Sequence, residues 1–161
     1  MFNFMKKDNC EIVAPSDGNV VQLESIDDPM FSQKMLGDGF AIKLKSDYVV
    51  SPVTGEVIVV FPTNHAIGIR TQDGIEVLIH IGFDTVNEKG NGFESYVTVG
   101  TKVKKGSTLV KVDRAYFESR GYDLTTPCII TNMDKIQSLD INFDIDAVCG
   151  KTVIGKYTLK V

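Results

Sequence analysis

The chain has 161 residues, 43% of them hydrophobic, with 17 basic and 21 acidic side chains and a formal charge of −4. This suits one globular domain with a real core, and the lack of a basic stripe excludes nucleic acid as the main partner. Cys10, Cys128 and Cys149 are odd in number and form no CxxC pair, and no apolar run reaches secretory or membrane-spanning character, so a reducing cytoplasm is expected.

Residues 1–11 read as an N-terminal segment. Its Phe2, Phe4, Met5, Lys6 and Lys7 suit weak contact with a membrane surface or an edge strand packed on the core. Residues 12–161 carry no linker and read as a single domain. Short β-like runs are predicted at 11–14, 18–25, 39–43, 48–51, 55–61, 66–70, 75–81, 94–97, 108–113, 128–131 and 153–161. Gly, Pro, Asp and Asn bound them, the pattern of an all-β sandwich or barrel. Only short helical turns are predicted. Asp28 and Pro29 supply N-cap and N1 for a turn through Phe31 to Met35, before Gly37. Asp113 caps a second turn at 114–120, with Gly121 as its stop. Two internal echoes accompany these elements. Ala14-Pro15-Ser16-Asp17-Gly18 resembles Ser51-Pro52-Val53-Thr54-Gly55, and Gly106-Ser107-Thr108 resembles Gly150-Lys151-Thr152. They arise either from recurrent β turns or from a duplicated β unit.

The chain's two histidines, His65 and His80, flank the turn signal Asp73-Gly74. Strand side chains alternate faces, so loop length decides where the rings point. A two-residue loop of Asp73 and Gly74 sets His65 opposite Gly82 and His80 opposite Ile67, as diagonal neighbours on one face about 7–8 Å apart at the backbone. A four-residue loop sets them directly opposite. An odd-length loop separates them. Neutral imidazole is a nucleophile, and a second imidazole with the Thr63 hydroxyl can steady an incoming group's oxygens. The set suits a transferable phosphoryl group. Gly82, beside the apolar run that holds His80, would let a partner or an oxyanion approach the backbone closely.

Other chemistries fit less well. Two histidines are half of a zinc site, and only Asp84 lies near in sequence, so no complete metal site is expected within the chain. No GxSxG accompanies them. Gly150-Lys151-Thr152 ends like a phosphate-binding loop, but Ile145 stands where the first glycine is required. Asn132-Met133-Asp134-Lys135-Ile136 resembles a lipoyl carrier's Asp-Lys turn, and an exposed turn explains it as well.

The runs Pro62-Thr63-Asn64-His65-Ala66 and Gly74-Ile75-Glu76-Val77-Leu78-Ile79-His80-Ile81-Gly82-Phe83-Asp84-Thr85-Val86 resemble the IIA component of the glucose family of the bacterial phosphoenolpyruvate-dependent sugar phosphotransferase system. Gly37-Asp38-Gly39-Phe40, Gly90-Asn91-Gly92-Phe93 and Thr126-Pro127 extend the resemblance over nearly the whole chain. It implies an antiparallel β-sandwich of the barrel-sandwich hybrid kind with internal duplication. It also implies that the phosphocarrier HPr passes a phosphoryl group to Nε2 of His80, and that His80 passes it to a cysteine on the IIB domain of a sugar permease. His65 would hold the phosphoryl oxygens and assist transfer, with Thr63 bonded in the same site. Asp28 and Asp84 match positions that face the basic HPr, while Phe31 and Phe61 match apolar positions around the site. Leu78 stands where some relatives carry Phe. No cofactor is required; zinc would join His65 and His80 only at a partner interface. Membrane contact would come only through the permease. The start at Met1 with no linker signature favours a free-standing protein.

Two other classes compete. A phosphorylation-sensitive regulatory binding module would use the same apolar face. A β-domain zinc protein would use the histidines as ligands.

Overall fold

The computed structural model describes residues 10–161; Phe2, Phe4, Met5, Lys6 and Lys7 lie outside the described residues. The first half of the chain forms β1 (Glu11–Val13), β2 (Gly18–Val21), α1 (Pro29–Ser32), β3 (Asp38–Leu44), β4 (Tyr48–Val50), β5 (Gly55–Val60), β6 (Ala66–Thr71) and β7 (Glu76–His80). The second half forms β8 (Phe93–Ser95), β9 (Lys102–Val103), β10 (Thr108–Val112), α2 (Arg114–Ser119), β11 (Thr125–Ile130), β12 (Ile136–Ile141), β13 (Asp146–Ala147) and β14 (Val153–Leu159). Every ladder is antiparallel. One eight-stranded sheet runs β13-β2-β3-β11-β7-β6-β5-β9, and two three-stranded sheets run β1-β14-β12 and β4-β10-β8. Among the described residues no helix is long and apolar enough to cross a membrane.

The helical turns form where their caps predict. Asp28 accepts from the Met30 N–H at 3.0 Å, and Pro29 opens α1. The left-handed Lys34, at φ 56°, follows soon after and cuts the turn short of Met35. Asp113 accepts from the Tyr116 N–H at 3.1 Å to start α2. The segment 18–25 divides, since β2 stops at Val21 and a 3-10 turn takes Leu23–Ser25. Three strands carry too little signal to read in advance. β9 and β13 have two residues each, and β12 exposes Gln137, Ser138 and Asp140 along an edge.

The echoes mark a real duplication. The strands β1, β2, β3, β11, β12, β13 and β14 correspond in that order to β4, β5, β6, β7, β8, β9 and β10, and each pairing within one set recurs in the other. The eight-stranded sheet is therefore a palindrome, with its centre between β11 and β7. Equivalent groups exchange hydrogen bonds across that centre. Val13 N–H donates to the Pro52 carbonyl at 2.9 Å, and Val50 N–H donates to the Pro15 carbonyl at 2.7 Å. Within each repeat an equivalent bond recurs, Gly150 N–H donating to the Ala14 carbonyl in one and Gly106 N–H to the Ser51 carbonyl in the other, both at 2.8 Å. The two glycines of the second echo meet each other. A Cβ on Gly150 would lie 3.2 Å from the Gly106 Cα, so the repeats touch backbone to backbone there. One repeat, β4 to β10, is continuous. The other is split around it.

β11 is buried along its whole length because both faces of the sheet are covered. Its Cys128 and Ile130 join Phe40, Ile42, Ile67, Val77 and Ile79 in the main core, enclosed by the three sheets. Period-two alternation sends Ile129, Ala41 and Leu78 to the other face. There Leu23, Ile26 and Phe31 from the β2–β3 connection form a second, smaller cluster with them. Residues 22–37 of that connection and residues 61–65 between β5 and β6 are equivalent in the two repeats.

Ile79 faces Cys128 at the centre of the palindrome and is 1% exposed. Ile79→Ala should cost about 2–5 kcal/mol, since a cavity there is walled by both repeats. Urea denaturation should show a lower midpoint with an unchanged slope.

Candidate active site

The β6–β7 hairpin does not use the two- or four-residue loops that would set both histidines on one face. Thr71 N–H donates to the Ile75 carbonyl at 2.8 Å and Gly74 N–H to the Thr71 carbonyl at 3.0 Å, which leaves Gln72, Asp73 and Gly74 as a three-residue loop. The Thr71 hydroxyl bonds the Asp73 carboxylate and accepts from the Ile75 N–H at 2.9 Å, and Gly74 takes φ 92°. This is a type I turn followed by a left-handed glycine. The segment 132–136 is more than an exposed turn. Asn132 accepts from Glu76 N–H at 2.9 Å and donates to the Gly74 carbonyl at 2.8 Å, pinning the loop.

With that register Ala66, not His65 or Ile67, faces His80. Strand parity alone would turn His65 to the opposite face. It reaches the same site because it stands before the strand, after Asn64 at φ 60°. Asn64 N–H closes a turn onto the Phe61 carbonyl at 2.7 Å, and Ile81 N–H donates to the His65 carbonyl at 2.7 Å. The ring thus swings across to His80 at a centroid distance of 5.1 Å, nearly perpendicular at 85°.

Aromatic rings extend the pair on both sides. Phe31, on α1, sits 5.4 Å from the His80 ring, and Phe61 sits edge-on to His65 at 5.2 Å. Phe31 is buried, whereas Phe61 is 37% exposed. Phe83, which sequence reasoning passed over, packs against Phe31 at 6.0 Å. Its place in the Gly-Phe-Asp-Thr run was the signal available. Leu78 is half-buried against the second cluster on the same face as His80. Equivalent connections of the two repeats therefore meet here: one brings Asp28 and Phe31, the other Phe61, Thr63 and His65.

Hydrogen bonds assign the ring atoms different tasks. His80 Nδ1 lies 2.9 Å from the Gly82 carbonyl, which can only accept, so Nδ1 carries the proton. The lone pair is left on Nε2. Thr63 Oγ1 bonds Nδ1 of His65. Gly82 serves through this carbonyl rather than as an opening for an oxyanion. It is buried at φ 73°, and a Cβ there would lie 2.7 Å from Thr85 Cγ2 and 3.0 Å from the Asp123 carbonyl.

Burial lowers the pKa of both imidazoles below the ordinary value. For His65 the neighbouring His80 lowers it further. For His80 the Gly82 bond, Asp28, Asp84 and its own backbone oppose the burial without cancelling it. Asp28 is occupied as the α1 cap, and Asp84 stands exposed at φ 61° at the start of the 3-10 turn Thr85–Glu88. Among the described residues no group of three or more His, Cys, Asp or Glu is arranged to hold a metal. The cavity lined by Thr54, Glu56, Arg70 and Lys102 lies away from the histidines. The histidines thus occupy a shallow apolar face that positions a nucleophilic Nε2 beside a second ring.

Comparison with known proteins agrees with the fold. The family model described as phosphoenolpyruvate-dependent sugar phosphotransferase system, EIIA 1, matches residues 10–136. A protein of Halalkalibacterium halodurans named PTS system glucose-specific EIIA component is 43% identical over 150 residues, covering 93% of this chain and 86% of that one. A Staphylococcus epidermidis protein of the same name is 44% identical over 152 residues, with 94% and 91% covered. The solved structure of glucose permease IIA from Mycoplasma capricolum is similar with a TM-score of 0.84 at 41% identity, covering 90% of this chain and 94% of that one.

Lowered histidine pKa values tie stability to pH. The unfolded chain protonates at the ordinary value near 6.5, and the folded rings protonate only at lower pH. Between those values the unfolded state holds more protons, so stability rises with pH in that window. The urea midpoint should be flat above about pH 7 and fall as pH drops through 6.5. Replacing both histidines with Gln should flatten that fall.

Proposed function

The chain belongs to the EIIA 1 family of the phosphoenolpyruvate-dependent sugar phosphotransferase system, and from that premise we propose that His80 carries the phosphoryl group on Nε2. The protein is a phosphoryl carrier in sugar uptake and works with the phosphocarrier and sugar permease components of the system. The observation that carries the proposal is the bond from His80 Nδ1 to the Gly82 carbonyl. It keeps the proton on one nitrogen and leaves the other as the nucleophile.

In the accepting step the Nε2 lone pair attacks phosphorus on phosphorylated HPr. The new P–N bond forms as the bond to the donor's histidine breaks. The proton stays on Nδ1, donated to the Gly82 carbonyl throughout, so the positive charge that develops on the ring is held by a fixed dipole. In the second step a cysteine thiolate of the permease's IIB domain attacks phosphorus, and the electron pair of the breaking P–N bond returns to Nε2. In the tautomer in which Thr63 donates to Nδ1 of His65, that ring offers its Nε2–H to the phosphoryl oxygens. Phe31, Phe61, Leu78 and Phe83 keep water from a labile bond once a partner covers the face. Asp28 and Asp84 draw in basic partners.

We propose that the transfer needs no metal, the His65 ring and the Thr63 hydroxyl steadying the phosphoryl oxygens in its place. Zinc would bind here only where a partner adds ligands to His65 and His80. The protein meets the membrane only through the permease, and it acts in the cytoplasm. The names of its relatives point to glucose as the sugar.

Incubation with phosphoenolpyruvate, enzyme I and HPr should yield an acid-labile, base-stable phosphoramidate on His80. His80→Ala should accept none; normal acceptance by that variant sinks the proposal. His65→Gln should still be phosphorylated but should pass the group on more slowly, by on the order of 10²-fold. Wild-type onward transfer would remove its role.

A further inference from the structure

One half-buried carboxylate lies outside the machinery described above. Glu88 ends the 3-10 turn that follows Gly82, in the long connection between β7 and β8. Its side chain is only 9% exposed. One oxygen accepts from the Tyr116 hydroxyl at 2.5 Å and from Arg120 Nε at 2.9 Å; the other accepts from the Tyr122 hydroxyl at 2.5 Å. The hydroxyls hold the carboxyl below the ordinary range, and the Arg120 guanidinium lies 5.2 Å from the Tyr116 ring. All three donors belong to α2 and the residues just after it.

The connection that Glu88 fastens touches the phosphoryl site at two points. At its start, the Gly82 carbonyl holds the Nδ1 proton of His80. Further on, Gly90 lies beside the Thr63 backbone, so that an added Cβ would sit 3.9 Å from both the Cα and the carbonyl oxygen. The ends of the connection are pinned by backbone. Phe83 N–H donates to the Asp123 carbonyl at 3.0 Å, and Asp113 N–H to the Gly92 carbonyl at 2.9 Å. Between these ends, the Thr85 hydroxyl donates to the Ile81 carbonyl at 2.6 Å, and Glu88 supplies the side-chain anchor onto α2. The equivalent connection in the other repeat, between β11 and β12, is short and serves no histidine. The length that makes room for Gly82 and Gly90 therefore also needs fastening.

We propose that Glu88 is a positioning residue for phosphoryl transfer, clamping the β7–β8 connection onto α2 so that Gly82 fixes the tautomer of His80 and Gly90 backs Thr63. The proposal rests on the carrier reading for its catalytic consequence. Glu88→Gln keeps the shape but removes the charge that holds Arg120 and both hydroxyls, and its NH2 can pair only with a hydroxyl turned round to accept, so the clamp loosens. In ¹⁵N spectra of the unphosphorylated protein above pH 7, wild-type His80 should carry its proton on Nδ1. In Glu88→Gln the ring should shift toward a mixture of tautomers. Transfer from the phosphorylated protein to IIB should slow on the order of tenfold per folded molecule. Tyr122→Phe keeps the ring packing and should move both readouts the same way by less.

A Glu88→Gln protein that is folded, with a wild-type tautomer and transfer rate, overturns the proposal, as does a fall in melting temperature alone. Should Glu88→Gln not fold, an unchanged His80 tautomer in the combined Tyr116→Phe, Tyr122→Phe protein overturns it equally. The tautomer is read without phosphate. It therefore tests the clamp even if His80→Ala were to disprove the carrier reading.

Discussion

The β7–β11 ladder carries the rest of the arrangement, because through it two half-sheets become one. Cys128 faces Ile79 at its centre, and each repeat lays its outer strands away from that line. Both faces of the ladder must be dry. One is covered by the three-sheet core and the other by Leu23, Ile26 and Phe31 from a single connection. A long connection in one repeat and a short one in the other bring unlike side chains to nearly symmetric ground. His80 emerges from the ladder's own strand, at the boundary between that covered face and solvent. The site is the place where the duplication is broken.

Breaking it there has an electrostatic purpose. Neutral imidazole is the reactive form, and a free surface histidine would spend part of its time protonated in a mildly acidic cell. Burial against Phe31, Phe61 and the second ring lowers both pKa values. The nearby Asp28 and Asp84 pull the other way on His80 through their charge. The balance favours the uncharged ring while leaving two carboxylates beside it. Flatness suits the proposed carrier role, in which the reactant arrives on another protein and needs a surface rather than a pocket.

Much of this was legible in the residues. The Asp73-Gly74 signal, the β-branched runs and the caps at Asp28 and Asp113 are local, and local chemistry realised them. The loop length was not legible. It depends on the Thr71 hydroxyl choosing Asp73 and the Ile75 N–H over solvent, which adds one residue to the loop. The pairing of the histidines survived that difference because Asn64 adopts a left-handed turn outside the strand. Phe83 and Glu88 escaped notice for another reason. Their partners, Phe31, Tyr116, Tyr122 and Arg120, are distant in sequence, and only the tertiary fold brings them together.

The nesting of one repeat inside the other also orders events on the ribosome. The inner repeat, β4 to β10, finds every partner for its own ladders within one continuous stretch, and can close soon after it is made. The outer repeat cannot. β1 must wait for β14, and the β2–β3 hairpin waits for β11 and β13, so the first strands to emerge are among the last to be completed. Until then an apolar edge stands open beside a finished half, a period in which a neighbouring chain could supply the missing strands. The symmetry that builds the site thus exposes the nascent protein to strand exchange between copies.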